Sequence, residues 1–182
     1  MKSVLISIQP KWCEKIANGK KTIEVRKFAP KETPFKCYIY ATKPKKFYKS
    51  GVISTSDELL WLANGKVEIG DGFKVWADSD EYQCLNGRVI GEFICNKLDK
   101  YTFSSYEAEY RVNHIQLVMM CVNHPDLLRY GVGETLYGLH ISELKIYDKP
   151  IDLSEFERSC STGINRAPQS WCYVQELREH II

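Results

Sequence analysis

Gly19-Lys20-Lys21-Thr22-Ile23-Glu24-Val25-Arg26-Lys27 tells more about this chain than any other stretch of it. The β-branched Thr22, Ile23 and Val25 favour a strand. Alternation puts Ile23 and Val25 on one face, together with Lys21 and Lys27. It puts Lys20, Thr22, Glu24 and Arg26 on the other. One face can reach a core, and the other is polar and mixes both charge signs. Such a face is either the solvated side of an antiparallel sheet or the lining of a cleft, and the cleft is the functional expectation.

Upstream, Val4, Ile6 and Ile8 alternate with Ser3, Leu5 and Ser7, which gives a first strand over 3–8. Pro10 fits a first helical turn. Cys13, Ile16 and Ala17 follow at helical spacing, Trp12 pairs with Ile16, and Gly19 is a natural stop. A short helix is therefore expected over about 10–18.

Downstream, KCYIYAT (36–42), GRVIGEFICNKL (87–98) and TLYGLHISELKIY (135–147) each read as a strand. Residues 43–85 read as an insertion, with a short helix near 57–63 and a hairpin on NGKVEIGDGFKVW (64–76). Ser104-Ser105-Tyr106-Glu107 matches a capping box, so a helix is expected to start there. HIQLVMMCV (114–122) is a helix or a buried strand, and periodicity leaves both open. Asn123 caps a short helix over 124–130 that Gly131 stops. From about Asp148 a tail begins, expected to pack back through Trp171 and Tyr173. Strands with few helices in this order predict a mainly β (α+β) fold, a small closed or half-closed β-barrel.

With 182 residues the chain fits one domain carrying an insertion or tail. Hydrophobic residues make up 44% and aromatics 12%, too apolar for disorder and enough for a sizeable core. No stretch approaches the roughly 20 apolar residues of a membrane helix, and the N-terminus resembles a signal peptide only superficially. No membrane partner is expected, and the expected location is cytoplasmic. The seven cysteines include no Cys-x-x-Cys pair, so free thiols are expected. Cys121-x-x-His124, with His114 nearby, lacks the second pair that a zinc site needs, so no metal and no cofactor are expected.

The net charge of +2 hides a split. Residues 1–50 carry 13 Lys or Arg against Glu14, Glu24 and Glu32, and the remainder carries 12 basic against 20 acidic residues. The basic part is either a face that meets an anion, nucleic acid first among them, or lysines spread around a solvated surface.

At this point LISIQPKW (5–12), GKKTIEVRK (19–27), YIYAT (38–42), GRVIGEF (87–93) and LYGLHISEL (136–144) resemble, in that order, the ASCH domains of the PUA-like superfamily. The resemblance covers residues 1 to about 147, with 43–85 inserted and 148–182 as a C-terminal extension packing on the barrel. Gly19, Lys21, Glu24 and Arg26 match the family's G-x-K-x-x-E-x-R pattern. What it implies is a PUA-like small β-barrel with a cleft beside the first helix, and RNA or a nucleotide-like small molecule as partner. The expected ligand-binding residues are Trp12, Lys20, Lys21, Thr22, Glu24 and Arg26. Arg26 offers a planar fork for phosphate or a base edge, Lys21 a mobile point charge, and Trp12 either a stacking platform or core packing against Ile16.

Two rival readings stand beside this one. Some small ASCH relatives resemble amidohydrolases of acetylated cytidine, whose motif carries a lysine, a threonine nucleophile three residues later and a distant glutamate. Here Lys21 holds the lysine position, but Glu24 stands where the threonine should be. Glutamate cannot replace an alcohol nucleophile without a change of mechanism, which counts against that activity. Hydrolysis of RNA, with Lys21 and Glu24 as catalytic candidates, remains open. For the amidohydrolase reading the candidates for the distant glutamate are Glu92, Glu107 and Glu109; for RNA hydrolysis His140 is a candidate to approach the cleft. A protein-interaction module is the remaining alternative.

Overall fold

The computed structural model describes residues 1–43, 46–49, 52–55, 58–62, 67–70 and 82–177. In chain order these form β1 (Lys2–Ile8), α1 (Pro10–Ala17), β2 (Ile23–Arg26) and β3 (Phe35–Ala41). Then come β4 (Lys46–Lys49), β5 (Val52–Thr55), β6 (Glu58–Leu62), β7 (Val67–Gly70), β8 (Tyr82–Cys84), β9 (Val89–Cys95) and β10 (Leu98–Tyr101). The remainder is β11 (Phe103–Ser104), β12 (Glu109–Tyr110), α2 (His114–Met120), α3 (His124–Gly131), β13 (Leu136–His140), β14 (Ser142–Ile151) and β15 (Trp171–Val174). Among the described residues the fold is mainly β with three short α-helices, as the sequence's mainly β reading predicts. None of the described helices is long and apolar enough to cross a membrane.

The main sheet has the order β14-β9-β3-β1-β15. β1 and β3 run parallel, a pairing that needs a crossover; α1 and β2 supply it. β1 is covered on both faces. Val4, Ile6 and Ile8 pack with Cys13, Ile16 and Phe93, while Leu5 packs with Tyr38, Phe156 and Ile164 on the opposite side. A smaller sheet, β10-β13-β2, lies beside a third cluster that joins Ile23 and Leu136 to Met120 of α2 and Leu127 of α3.

The two strands expected over 87–98 and 135–147 are each broken in two. β9 passes into β10 through Asn96 and Lys97, and β13 passes into β14 through Ile141. Each pair turns the chain from one sheet into the other, which is how sheets packed at a large angle share strands. Of the closed and half-closed barrels expected, the closed one is not formed by the described residues. Among the described residues the ladders do not close: β14 and β15 end one sheet, and β10 and β2 end the other.

Other expectations change as well. Ser104 does accept the Glu107 N–H through Oγ at 3.3 Å, but no helix follows; the chain turns back and Phe103–Ser104 pairs with Glu109–Tyr110. One side-chain bond cannot offset the cost of a helical nucleus when no apolar stripe follows to bury it. The working capping box is Asn113 with Gln116, which starts α2 and settles residues 114–120 as helix. Asn123 caps α3 as expected, through the Asp126 N–H at 2.8 Å. Around 57–63 the described residues 58–62 are strand, paired with Val67–Gly70; the remainder of the expected hairpin, 64–66 and 71–76, lies outside the described residues. The tail returns as β15 against β1, buried through Val174 while Tyr173 stays exposed. Cys13, Cys37, Cys95, Cys121, Cys160 and Cys172 are free thiols.

Candidate functional site

The site begins where α1 ends. Gly19 takes a positive φ of 70°, a conformation glycine adopts without steric cost. The N–H groups of Lys20 and Lys21 then both donate to the Lys15 carbonyl, at 2.8 and 3.0 Å. These bonds close the helix end and hold residues 20–21 in a turn, so β2 starts only at Ile23. Thr22 is pinned on both sides: its N–H donates to Met119 O, and its carbonyl accepts from the Ile141 N–H, each at 2.9 Å. The turn rotates Lys21 away from the face that strict alternation assigns it and brings it against Glu24.

Lys21, Glu24 and Arg26 are respectively 3%, 5% and 8% exposed. Lys21 Nζ lies 3.4 Å from Glu24 Oε2 and donates to the Met120 carbonyl at 2.6 Å. Glu24 Oε1 lies 3.0 Å from Arg26 Nη2, which also donates to the Ser7 carbonyl at 2.7 Å. Glu24 therefore bridges two buried cations. Burial lowers the pKa of the Lys21 ammonium below the usual lysine range, and the charge of Glu24 opposes part of that effect. Arg26 Nε is buried and has no hydrogen-bond partner among the described residues.

These side chains line a cleft of about 1500 Å³ between the N-terminal end of α1, β2, α3 and the segment 165–170. Glu24, Asp126 and Asp152 face seven Lys or Arg along its walls, five of which come from the first fifty residues. Five of the thirteen basic residues of 1–50 thus gather around one concavity, where basic residues outnumber acidic ones and the potential favours an anion.

No family model matches the chain, and no curated protein does. Among solved structures, the crystal structure of ASCH from Zymomonas mobilis is similar over 98% of this chain and 90% of its own, with 18% identity and a TM-score of 0.53. A point variant of that protein is similar over 97% and 92%, with 17% identity and a TM-score of 0.51. The fold is ASCH-like.

In this ASCH-like fold the residues singled out in the sequence separate into two groups. Trp12, Lys21, Glu24 and Arg26 line the cleft. Lys20 and Thr22 do not; Lys20 is exposed and lies 3.7 Å from Glu14. Trp12 is partly buried against the core, and its ring holds the ammonium groups of Lys11, Lys15 and Lys21 at 4.9, 5.2 and 4.9 Å. It anchors cations at the cleft as well as packing.

His140 does not approach the cleft. Its Nε2 lies 2.7 Å from Asp99 Oδ2, in a cluster with Lys97, Tyr101 and Gln116. The candidate carboxylates are elsewhere too. Glu92 accepts from Tyr147 Oη at 2.7 Å and lies 3.8 Å from Lys36, and Glu107 and Glu109 are exposed. The sequence gives no sign of the wall formed by residues 165–170, which reaches the site through contacts more than 140 residues apart, or of Ser7, which reaches it through a backbone carbonyl that any residue carries.

Proposed function

We propose that this ASCH-like protein binds RNA or a nucleotide-like ligand in the cleft floored by Lys21, Glu24 and Arg26. The observation that carries this reading is the unpartnered, buried Nε of Arg26 beside a basic concavity. A guanidinium with a donor to spare matches a phosphate oxygen or a base acceptor. Glu24 holds Arg26 in a fixed pose, so little freedom is lost when a ligand docks. The test is binding of a labelled single-stranded RNA oligomer at several salt concentrations, for wild type and Arg26→Ala. Affinity should fall steeply with salt, by roughly 0.7 log units per log of salt for each phosphate neutralised. Arg26→Ala should weaken binding well beyond a surface lysine control. Binding that responds to neither would retire the proposal.

A second reading, hydrolysis of RNA or an acylated nucleoside, is favoured by one observation. The lowered pKa of Lys21 brings its neutral amine closer to use as a base, with Glu24 3.4 Å away. It predicts turnover that Lys21→Ala abolishes. Binding without turnover would leave the protein a pure binder.

A further inference from the structure

The antiparallel ladder between β1 and β15 ends at Ile6 and Trp171. One residue further on, Ser7 still donates its N–H to the Ser170 carbonyl at 2.9 Å. Its hydroxyl donates to the Pro168 carbonyl at 2.6 Å. The Ser7 carbonyl accepts from Arg26 Nη2 at 2.7 Å. Nearby, the Trp171 indole Nε1 donates to the Phe28 carbonyl at 2.9 Å, two residues beyond Arg26. The segment 168–171 is thus tied to both chain segments that fix the Arg26 guanidinium. It also walls the cleft into which that guanidinium opens.

We infer that Ser7 is a positioning residue for Arg26, held in register by the 168–170 segment, so that a segment far along the chain tunes how the site grips an anion. The β1–β3 ladder continues through Ser7, opposite Tyr40, and holds the strand on that side. Two donations from Ser7 to one short segment hold its other side and fix the direction from which Nη2 is held. With Glu24 on the same nitrogen, the guanidinium is held at Nη2 from two directions. The binding part of the argument rests on the proposed RNA or nucleotide reading; the positioning part does not.

Ser7→Ala keeps both backbone groups and removes only the hydroxyl. Affinity for the labelled RNA oligomer should drop about fivefold, the worth of one hydrogen bond. In an Arg26→Ala background the same substitution should change affinity by less than about twofold, because its target is gone. Independently of any ligand, the Arg26 Nε–H resonance in a nitrogen-15 spectrum should shift or broaden in Ser7→Ala. Pro168→Gly, which slackens the segment without removing its carbonyl, should do the same. An Arg26 resonance unchanged in both variants would overturn the inference, as would an equal loss of affinity in both backgrounds. If wild type binds no RNA, the proposed function falls, and the resonance alone decides the positioning role.

Discussion

Lys21 Nζ and Glu24 Oε2 stand 3.4 Å apart, although an uninterrupted strand would send these two residues to opposite faces. The turn that follows Gly19 makes the difference. Both amides after it are drawn to the Lys15 carbonyl, and regular strand geometry starts one residue later than the β-branched run implies. The same carboxylate holds Arg26, so one buried anion organises two buried cations.

Removing that anion leaves both cations uncompensated. Glu24→Gln keeps the shape and should cost about 3–5 kcal/mol, measured by urea denaturation, as expected for a broken buried pair. Replacing Lys21, Glu24 and Arg26 together by apolar residues of similar size should cost less than Glu24→Gln alone, since no charge is then left buried. A triple variant less stable than the single one would contradict this account.

Lys21 makes affinity and stability respond to alkali in opposite directions. Its pKa in the folded chain lies below the usual 10.5, chiefly through burial. The unfolded chain therefore holds this proton more tightly. Below the folded pKa the charged Lys21 disfavours folding, and that penalty disappears as pH rises toward 10.5. Over the same range the cleft loses a cation. Relative to Lys21→Met, wild type should gain stability and lose RNA affinity as pH rises. The measurements are denaturation midpoints and binding constants for the two proteins, and parallel curves would exclude a buried, shifted lysine.

At the other end of the pH scale Asp99 governs the outcome. Burial pushes its carboxyl up, but hydrogen bonds from His140 and Lys97, with their charges, outweigh burial and bring it down to about 2. A depressed carboxyl contributes stability above its unfolded value and loses it as pH falls through the folded one. Wild type should thus lose stability between about pH 4 and pH 2. Asp99→Asn should show a shallower decline over that interval, followed by circular dichroism during acid titration. An equally steep decline would show that the cluster contributes nothing to acid stability.

Gly138 tests how β2 is held. It pairs with Val25, and a Cβ placed there would lie 2.7 Å from Tyr101 Oη and 2.9 Å from Ile23 Cγ2. Tyr101 is buried and its hydroxyl donates to Asp99, so it has little room to yield. Gly138→Ala should destabilise by about 1–3 kcal/mol, the usual cost of overpacking. It should also weaken ligand binding, because β2 carries Glu24 and Arg26. Unchanged thermal stability would show that the neighbours move aside freely.

Much of this protein is determined locally. The alternation of Val4, Ile6 and Ile8, Pro10 at the start of α1, Gly19 after its end and Asn123 ahead of α3 are short-range signals. Each acts through bonds or periodicities within a few residues, so the sequence by itself determines these elements. It also determines that Lys21, Glu24 and Arg26 lie close along the chain.

Tertiary structure decided the rest. Local alternation reads 87–98 and 135–147 as unbroken strands, and only the meeting of two sheets bends them at Asn96 and Ile141. Ser104 makes its capping bond whether or not a helix follows, so the motif cannot distinguish a turn from a helix start. Trp171 and the wall at 165–170 are brought to the site by the β1–β15 pairing, and Ser7 by its carbonyl on Arg26. That pairing adds β15 at the edge that β1 would otherwise leave open, and no nearby residue records it.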